Sequence, residues 1–171
     1  DGIASRGLGD VYKRQGLLAP RPEGEILALQ RAYEKSGIAP ESIGLIEAHG
    51  TGIPLGDRTE IHSLTQVFGS RQHLPHCALG SVKSMIGHCL PAAGAASLIK
   101  TVLALYHKVL PPTLCEQVNS DLEIEQTPFY LNTEARPWIQ GNGQRRAGVN
   151  AFGFGGVCLL YTSPSPRDAI P

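Results

Sequence analysis

Long uninterrupted hydrophobic runs are missing from this 171-residue chain. The longest apolar stretch, Ala92 to Tyr106, is broken by Ser97, Lys100 and Thr101 and falls short of a bilayer-spanning helix, so no membrane span is expected. Charge of one sign is missing as well. Fifteen Lys+Arg balance fifteen Asp+Glu with no basic stripe, which removes the electrostatic footprint of a nucleic-acid or anionic-membrane binder. The four cysteines include no Cys-x-x-Cys pair, a usage that fits reduced thiols in a cytoplasmic enzyme. Cys77 and Cys89 read as small buried hydrophobes. A Rossmann fingerprint, a Walker lysine, His-Glu-x-x-His and Gly-x-Ser-x-Gly are all absent, leaving nucleotide binding, a metal site and a serine hydrolase without support.

What is present is an α/β alternation. Pro22 to Gly37 carries Ile26, Leu29, Ala32 and Tyr33 at helical spacing, with Gly37 as C-cap. Ser42 to Ala48 reads as a short buried strand. Gly56-Asp57 opens a second helix bearing Ile61, Leu64, Val67 and Phe68, with Asp57 as N-cap and Gly69 at its end. His76 to Leu79 is a strand. Pro91 to Lys108 forms a helix apolar nearly all round, hence a core helix. Phe129 to Asn132 and Ala147 to Phe152 are later strands. Helices alternating with strands early, then strands late, suit a layered α/β domain.

The chemistry-bearing residues sit at element ends. Glu47-Ala48-His49-Gly50-Thr51-Gly52 follows the first strand, and Gly80-Ser81-Val82-Lys83-Ser84-Met85-Ile86-Gly87-His88 lies one αβ unit later. Such ends face the crevice where α/β folds place their chemistry. His49 taken alone divides evenly between a structural and a catalytic histidine. His88 precedes a helix with Pro in its first turn, where the positive end of the macrodipole favours a neutral ring able to donate a hydrogen bond. Lys83, five residues before it, could orient that ring or be a solvated surface lysine. Asp57 and Glu60 read as a helix cap and a first-turn acid rather than an acid/base pair.

These motifs, taken with PAAGAASLIKTVLALYHKVLPPTL, TEARPW and RAGVNAFGFGG ending at Gly156, resemble the C-terminal half of a β-ketoacyl synthase, the thiolase-fold condensing enzyme of fatty-acid and polyketide assembly. The resemblance covers most of residues 16–157, in the family's order and roughly its spacing. It implies the C-terminal half of a layered αβαβα fold and, in a complete synthase, a homodimer. His49, His88 and Lys83 become the catalytic set, and Thr51 a contact to the phosphopantetheine arm of an acyl carrier protein. Phe154, with Gly155 beside it, becomes a gating residue whose glycine neighbours give the loop freedom to move. No cofactor is implied in this domain itself. The partners are the carrier protein and its malonyl and acyl thioesters, and the reaction is decarboxylative Claisen condensation.

Some positions depart from the family pattern. Ile53 stands where a second threonine is usual, Met85 where asparagine is common in the lysine motif, and Ser97 where dissociated elongation enzymes carry an acid. Leu-Pro-Pro-Thr-Leu and Thr-Glu-Ala-Arg-Pro-Trp resemble large multidomain synthases, so the parent reads as a type I polyketide or polyunsaturated fatty-acid synthase. The family's nucleophilic cysteine precedes this region, and Cys77, Cys89, Cys115 and Cys158 match no such position, so the chain alone is expected not to condense. Residues 1–15 and 158–171 fall outside the family pattern and resemble translated sequencing adapter; they are set apart from the fold. The rival reading is a catalytically silent synthase-like partner that supplies dimer surface and pocket walls.

Overall fold

The computed structural model describes residues 21–70, 74–140, 143–153 and 158–164. Its centre is a five-stranded sheet in the order β4-β2-β1-β6-β7, made of β1 (Leu45–Glu47), β2 (Cys77–Gly80), β4 (Phe129–Leu131), β6 (Arg146–Phe152) and β7 (Cys158–Pro164). The first four run parallel, with Leu45 opposite both Ala78 and Ala147 and Cys77 opposite Phe129. β7 turns back antiparallel along the whole of β6. This stretch lies within the tail set apart by sequence, and its backbone covers the β6 edge whatever its origin. A small ribbon pairs β3 (Val109–Leu110) with β5 (Arg136–Pro137).

Side chains alternate across the sheet and build two cores. Ile46, Cys77, Leu79 and Phe129 pack with Leu29 and Tyr33 of helix α1 (Pro22–Ser36) and with Ile61 and Leu64 of α2 (Pro54–Phe68). Leu45, Ala78 and Ala147 face the other way, onto Ala104 and Leu105 of α4 (Ala93–His107), joined by Leu110 and Trp138. Glu47 belongs to this second face by the same alternation. The one-turn helix α3 (Lys83–Ile86) leads from β2 towards α4. No helix among the described residues is long and apolar enough to cross a membrane.

α1 matches its sequence reading, ending at Ser36 with Gly37 left-handed at φ 64°. α2 starts earlier than expected. Pro54, with φ pre-set for the first helical position, opens it, so Ile53 is the N-cap and Asp57 lies one turn inside. Asp57 therefore caps nothing; its carboxylate reaches back to accept the N–H groups of Thr51 at 3.1 Å and Gly52 at 3.3 Å. β1 is shorter than Ser42 to Ala48 because Pro40–Ser42 forms a 3₁₀ turn.

The larger correction concerns α4, which is not buried all round. Ala93, Ser97, Thr101, Ala104 and Leu105 are buried, whereas Ile99, Val102, Leu103 and Tyr106 are exposed. Small residues let the helix lie close against the sheet, and the large apolar ones project away from it. Cys77 is fully buried as expected, but Cys89 is only half-buried and Cys115 is exposed.

Candidate active site

The site forms where the ends of β1, β2 and β6 meet. Three residues past β1, the backbone bends through Gly50 at φ 43°. A Cβ there would lie 2.9 Å from the Cβ of Ser81, so both the dihedral and the space require glycine. Ser81 donates its hydroxyl to the Gly50 carbonyl at 3.2 Å and ties this turn to the lysine turn.

The turn is held from below by Glu60 of α2. Its carboxylate accepts the backbone N–H of His49 at 2.8 Å, that of Gly50 at 2.9 Å, and the amide of Asn150 on β6 at 2.9 Å. Burial raises the pKa of Glu60, opposed by those hydrogen bonds and reinforced by Asp57. Glu60 is thus a structural carboxylate with a larger part than a first-turn acid.

His49 and His88 come together as the sequence predicted. Their ring centroids lie 5.8 Å apart at 87°, and Phe152 of β6 approaches His49 at 5.5 Å. The Nδ1 of His49 accepts the N–H of Phe152 at 3.3 Å, and the Nδ1 of His88 accepts the N–H of Leu90 at 2.9 Å. In a neutral imidazole a nitrogen that accepts leaves the proton on the other one, so both rings carry it at Nε2. Burial pushes His49 down to about 4, helped by the charge of Lys83 and by His88, which keeps that ring neutral. The N–H that fixes His88 belongs to a strained residue: Leu90 sits in the left-handed region at φ 50°.

Lys83 opens α3, its ammonium in the electrostatic reach of Glu60 and Glu47. Burial lowers its pKa, and those two carboxylates raise it. Beside it opens a cavity of about 460 Å³ lined by Thr51, Asp57, Glu60, Lys83, Ser84 and Cys115, among others. Thr51 accepts the N–H of Ile53 at 3.4 Å, which leaves its hydroxyl hydrogen for a ligand. Ile53 and Met85, the positions that depart from the family pattern, are both exposed. Phe154 and Gly155 lie outside the described residues.

Sequence reasoning passed over Glu47 and Lys100. Glu47, at the end of β1, is fully buried; one carboxylate oxygen accepts the N–H of Val82 and the other meets the Lys100 ammonium of α4 at 2.8 Å. The lysine head passes over β2 at Gly80, where a Cβ would lie 3.5 Å from it and 2.7 Å from the Thr113 hydroxyl.

Comparison with known proteins agrees with this geometry. The family model "Beta-ketoacyl synthase, C-terminal domain" matches residues 3–116. Polyketide synthase PksN of Bacillus subtilis is 43% identical over 155 residues, which cover 82% of this chain and 3% of that protein. One component of the phenolphthiocerol/phthiocerol polyketide synthase of Mycobacterium tuberculosis is 44% identical over 94% of this chain and 11% of its own length. One component of the polyunsaturated fatty acid synthase of Thraustochytrium is 40% identical over 85% of this chain and 5% of its own length. The solved ketosynthase from module 6 of the bacillaene synthase of Bacillus subtilis superposes with a TM-score of 0.83 at 40% identity, covering 88% of this chain and 28% of that one. The chain therefore spans less than a third of a ketosynthase and about a tenth or less of those multidomain relatives. With matched motifs, a thiolase-like α/β fold and His49 and His88 brought together beside the sheet, the chain belongs to the β-ketoacyl synthase family, in its C-terminal domain.

Proposed function

We propose that this chain is a C-terminal part of a ketosynthase in a type I polyketide or polyunsaturated fatty-acid synthase, whose reaction is decarboxylative Claisen condensation. The observation that carries the reading is the paired tautomer. Two neighbouring imidazoles, each fixed at Nδ1 by a backbone N–H, keep Nε2–H as the donor, with their ring centroids 5.8 Å apart. A malonyl thioester losing carbon dioxide moves the electron pair of the broken C–C bond into an enolate, and its oxygen needs preorganised donors of this kind.

Lys83 adds positive charge at the same site and disfavours a second cation on His49. The enolate carbon then attacks an acyl thioester on a cysteine supplied by the preceding half of the domain; a C–C bond forms and the thiolate leaves. Thr51, with its free hydroxyl hydrogen, would receive the phosphopantetheine arm that delivers the malonyl group from an acyl carrier protein. Ile53 offers no second hydroxyl there. Without the nucleophile this part alone is inactive, and the complete synthase acts as a homodimer.

Replacing His88 by Ala in the complete ketosynthase should slow malonyl-thioester decarboxylation by about a hundredfold or more. An unchanged rate sinks the assignment. Reading the gene upstream discriminates the silent-partner alternative, which requires a residue other than cysteine at the nucleophile position.

A further inference from the structure

Lys100 and Glu47 are given no contact with substrate above, yet they link the segments beside His49, Lys83 and His88. Glu47 is the last residue of β1, two before His49. One of its oxygens accepts the N–H of Val82, the residue before Lys83. Its other oxygen holds the ammonium of Lys100 at 2.8 Å. Lys100 lies on the face of α4 that meets the sheet, one turn beyond the buried Ser97 and two beyond the buried Ala93. Ala93 begins the helix five residues after His88 and follows the 3₁₀ turn Leu90–Ala92, whose first N–H fixes that ring.

We infer that the Glu47–Lys100 pair is a positioning device that sets the register of His88 against His49 and Lys83. Glu47 also lies within the electrostatic reach of Lys83, but the one ammonium bonded to it among the described residues is that of Lys100. No acid lies three or four residues from Lys100 on its own helix, where Ala96, Ser97, Leu103 and Ala104 stand. The two side chains are 10% and 0% exposed, so water offers the carboxylate no substitute partner and the ammonium little, and a buried ion has to find its counter-ion. Each carboxylate oxygen is committed to a different element, so the group can satisfy both donors only when β1, the β2–α3 turn and α4 stand in one arrangement. Gly80 keeps the crossing open, because a side chain there would crowd both Thr113 and the lysine head.

The catalytic arm of this inference rests on the function proposed above, so its test has two arms. The first compares amide hydrogen exchange in the complete ketosynthase with and without Lys100→Met. Protection should fall at Val82 and at Leu90 together, although Leu90 touches neither member of the pair. The second follows malonyl-thioester decarboxylation, with kcat referred to titrated nucleophile so that misfolded enzyme does not count. Lys100→Met should lower kcat about tenfold or more, as a small misplacement of catalytic groups does, while KM, set largely by the carrier arm, stays within about twofold.

Because a lone buried carboxylate could prevent folding, Glu47→Gln/Lys100→Met serves as the second variant. It keeps an oxygen for Val82, removes both charges, and should fold while retaining the loss of kcat. Exchange at Leu90 unchanged in a folded variant overturns the inference, as does a double variant with full kcat. A parent ketosynthase that never decarboxylates would defeat the functional proposal instead, and the exchange arm would still decide the pair.

Discussion

Two ion pairs in this chain have nearly equal lengths and opposite surroundings. Arg58 meets Asp121 at 2.7 Å with the side chains 54% and 58% exposed, while Lys100 meets Glu47 at 2.8 Å with 10% and 0% exposed. Distance therefore says little about what either pair does. The exposed pair exchanges water for a partner at small net gain. The buried pair has lost most of its water, so each charge depends chiefly on the other. The largest effect should come from breaking that dependence: Lys100→Met alone should cost about 3–5 kcal/mol, read from the denaturant midpoint, because the buried Glu47 loses its bonded counter-ion. The double variant with Glu47→Gln should recover most of that loss, since no buried charge remains. A single variant as stable as the double would mean that the pair is wetter than its burial indicates.

Glu60 extends the comparison to a buried carboxylate with no ammonium bonded to it. Three N–H donors hold it, from His49, Gly50 and Asn150. Glu60→Ala removes the acceptor for all three and should cost on the order of 2–4 kcal/mol, as unsatisfied buried donors do. It should also loosen the His49 turn. Glu60→Gln should recover only part, because its amide nitrogen would face a donor where an oxygen now accepts. Chemical shifts of the His49 and Gly50 amides would check this, and unmoved shifts in the alanine variant would refute it.

A third, smaller effect separates two groups near Glu60 by pH. Burial, followed by the Glu60 charge, pushes the Glu25 carboxyl up from 4.5 to about 7, with the Ser63 hydroxyl acting the other way. Between those values the folded state binds more protons than the unfolded one. Its contribution is full below 4.5 and is lost as pH rises through about 7. His49 runs the opposite way: with its pKa taken from 6.5 down to about 4, its contribution is full above 6.5 and is lost as pH falls through 4. Glu25→Gln should therefore raise the melting temperature at pH 8 by roughly 3 °C and leave it little changed at pH 4. It should also unmask a stability that climbs between pH 4 and 6.5, the His49 window. An equal shift at both pH values would contradict the assignment to Glu25.

Much of this arrangement was legible in the sequence because its signals are local. Glycine-flanked turns after short apolar runs located His49, Lys83 and His88, and helical spacing located α1. What stayed hidden depends on partners far along the chain. A lysine inside an apolar helix, with no acid one turn away, shows that a counter-ion is needed; it does not show that the counter-ion is Glu47, 53 residues earlier. Glu60 resembled an ordinary first-turn acid because its three donors come from other elements. The apolar character of α4 was plain, but periodicity counts hydrophobic residues without saying which neighbour covers them. Ile99, Val102, Leu103 and Tyr106 accordingly lie exposed where a core helix was expected. Asp57 was misread as an N-cap because Pro54, three residues earlier, is the stronger start signal.

The smallest effect belongs to the exposed ion pair, and it sharpens the contrast most cheaply. Arg58 lies on α2, and Asp121 in the 3₁₀ turn Ser120–Leu122, whose own cap is the Asn119 side chain accepting the Asp121 N–H at 3.0 Å. That turn holds its shape without Arg58. Arg58→Ala should therefore cost less than about 1 kcal/mol. In about 1 M salt the difference from the unsubstituted chain should shrink, since the screening length of exposed charges falls to about 3 Å there. The loss on Lys100→Met should persist at the same salt, because ions cannot enter to replace a buried ammonium. If both losses faded together, Lys100 and Glu47 would have to be reached by solvent, and a pair reached by solvent could not hold β1, the lysine turn and α4 in one register.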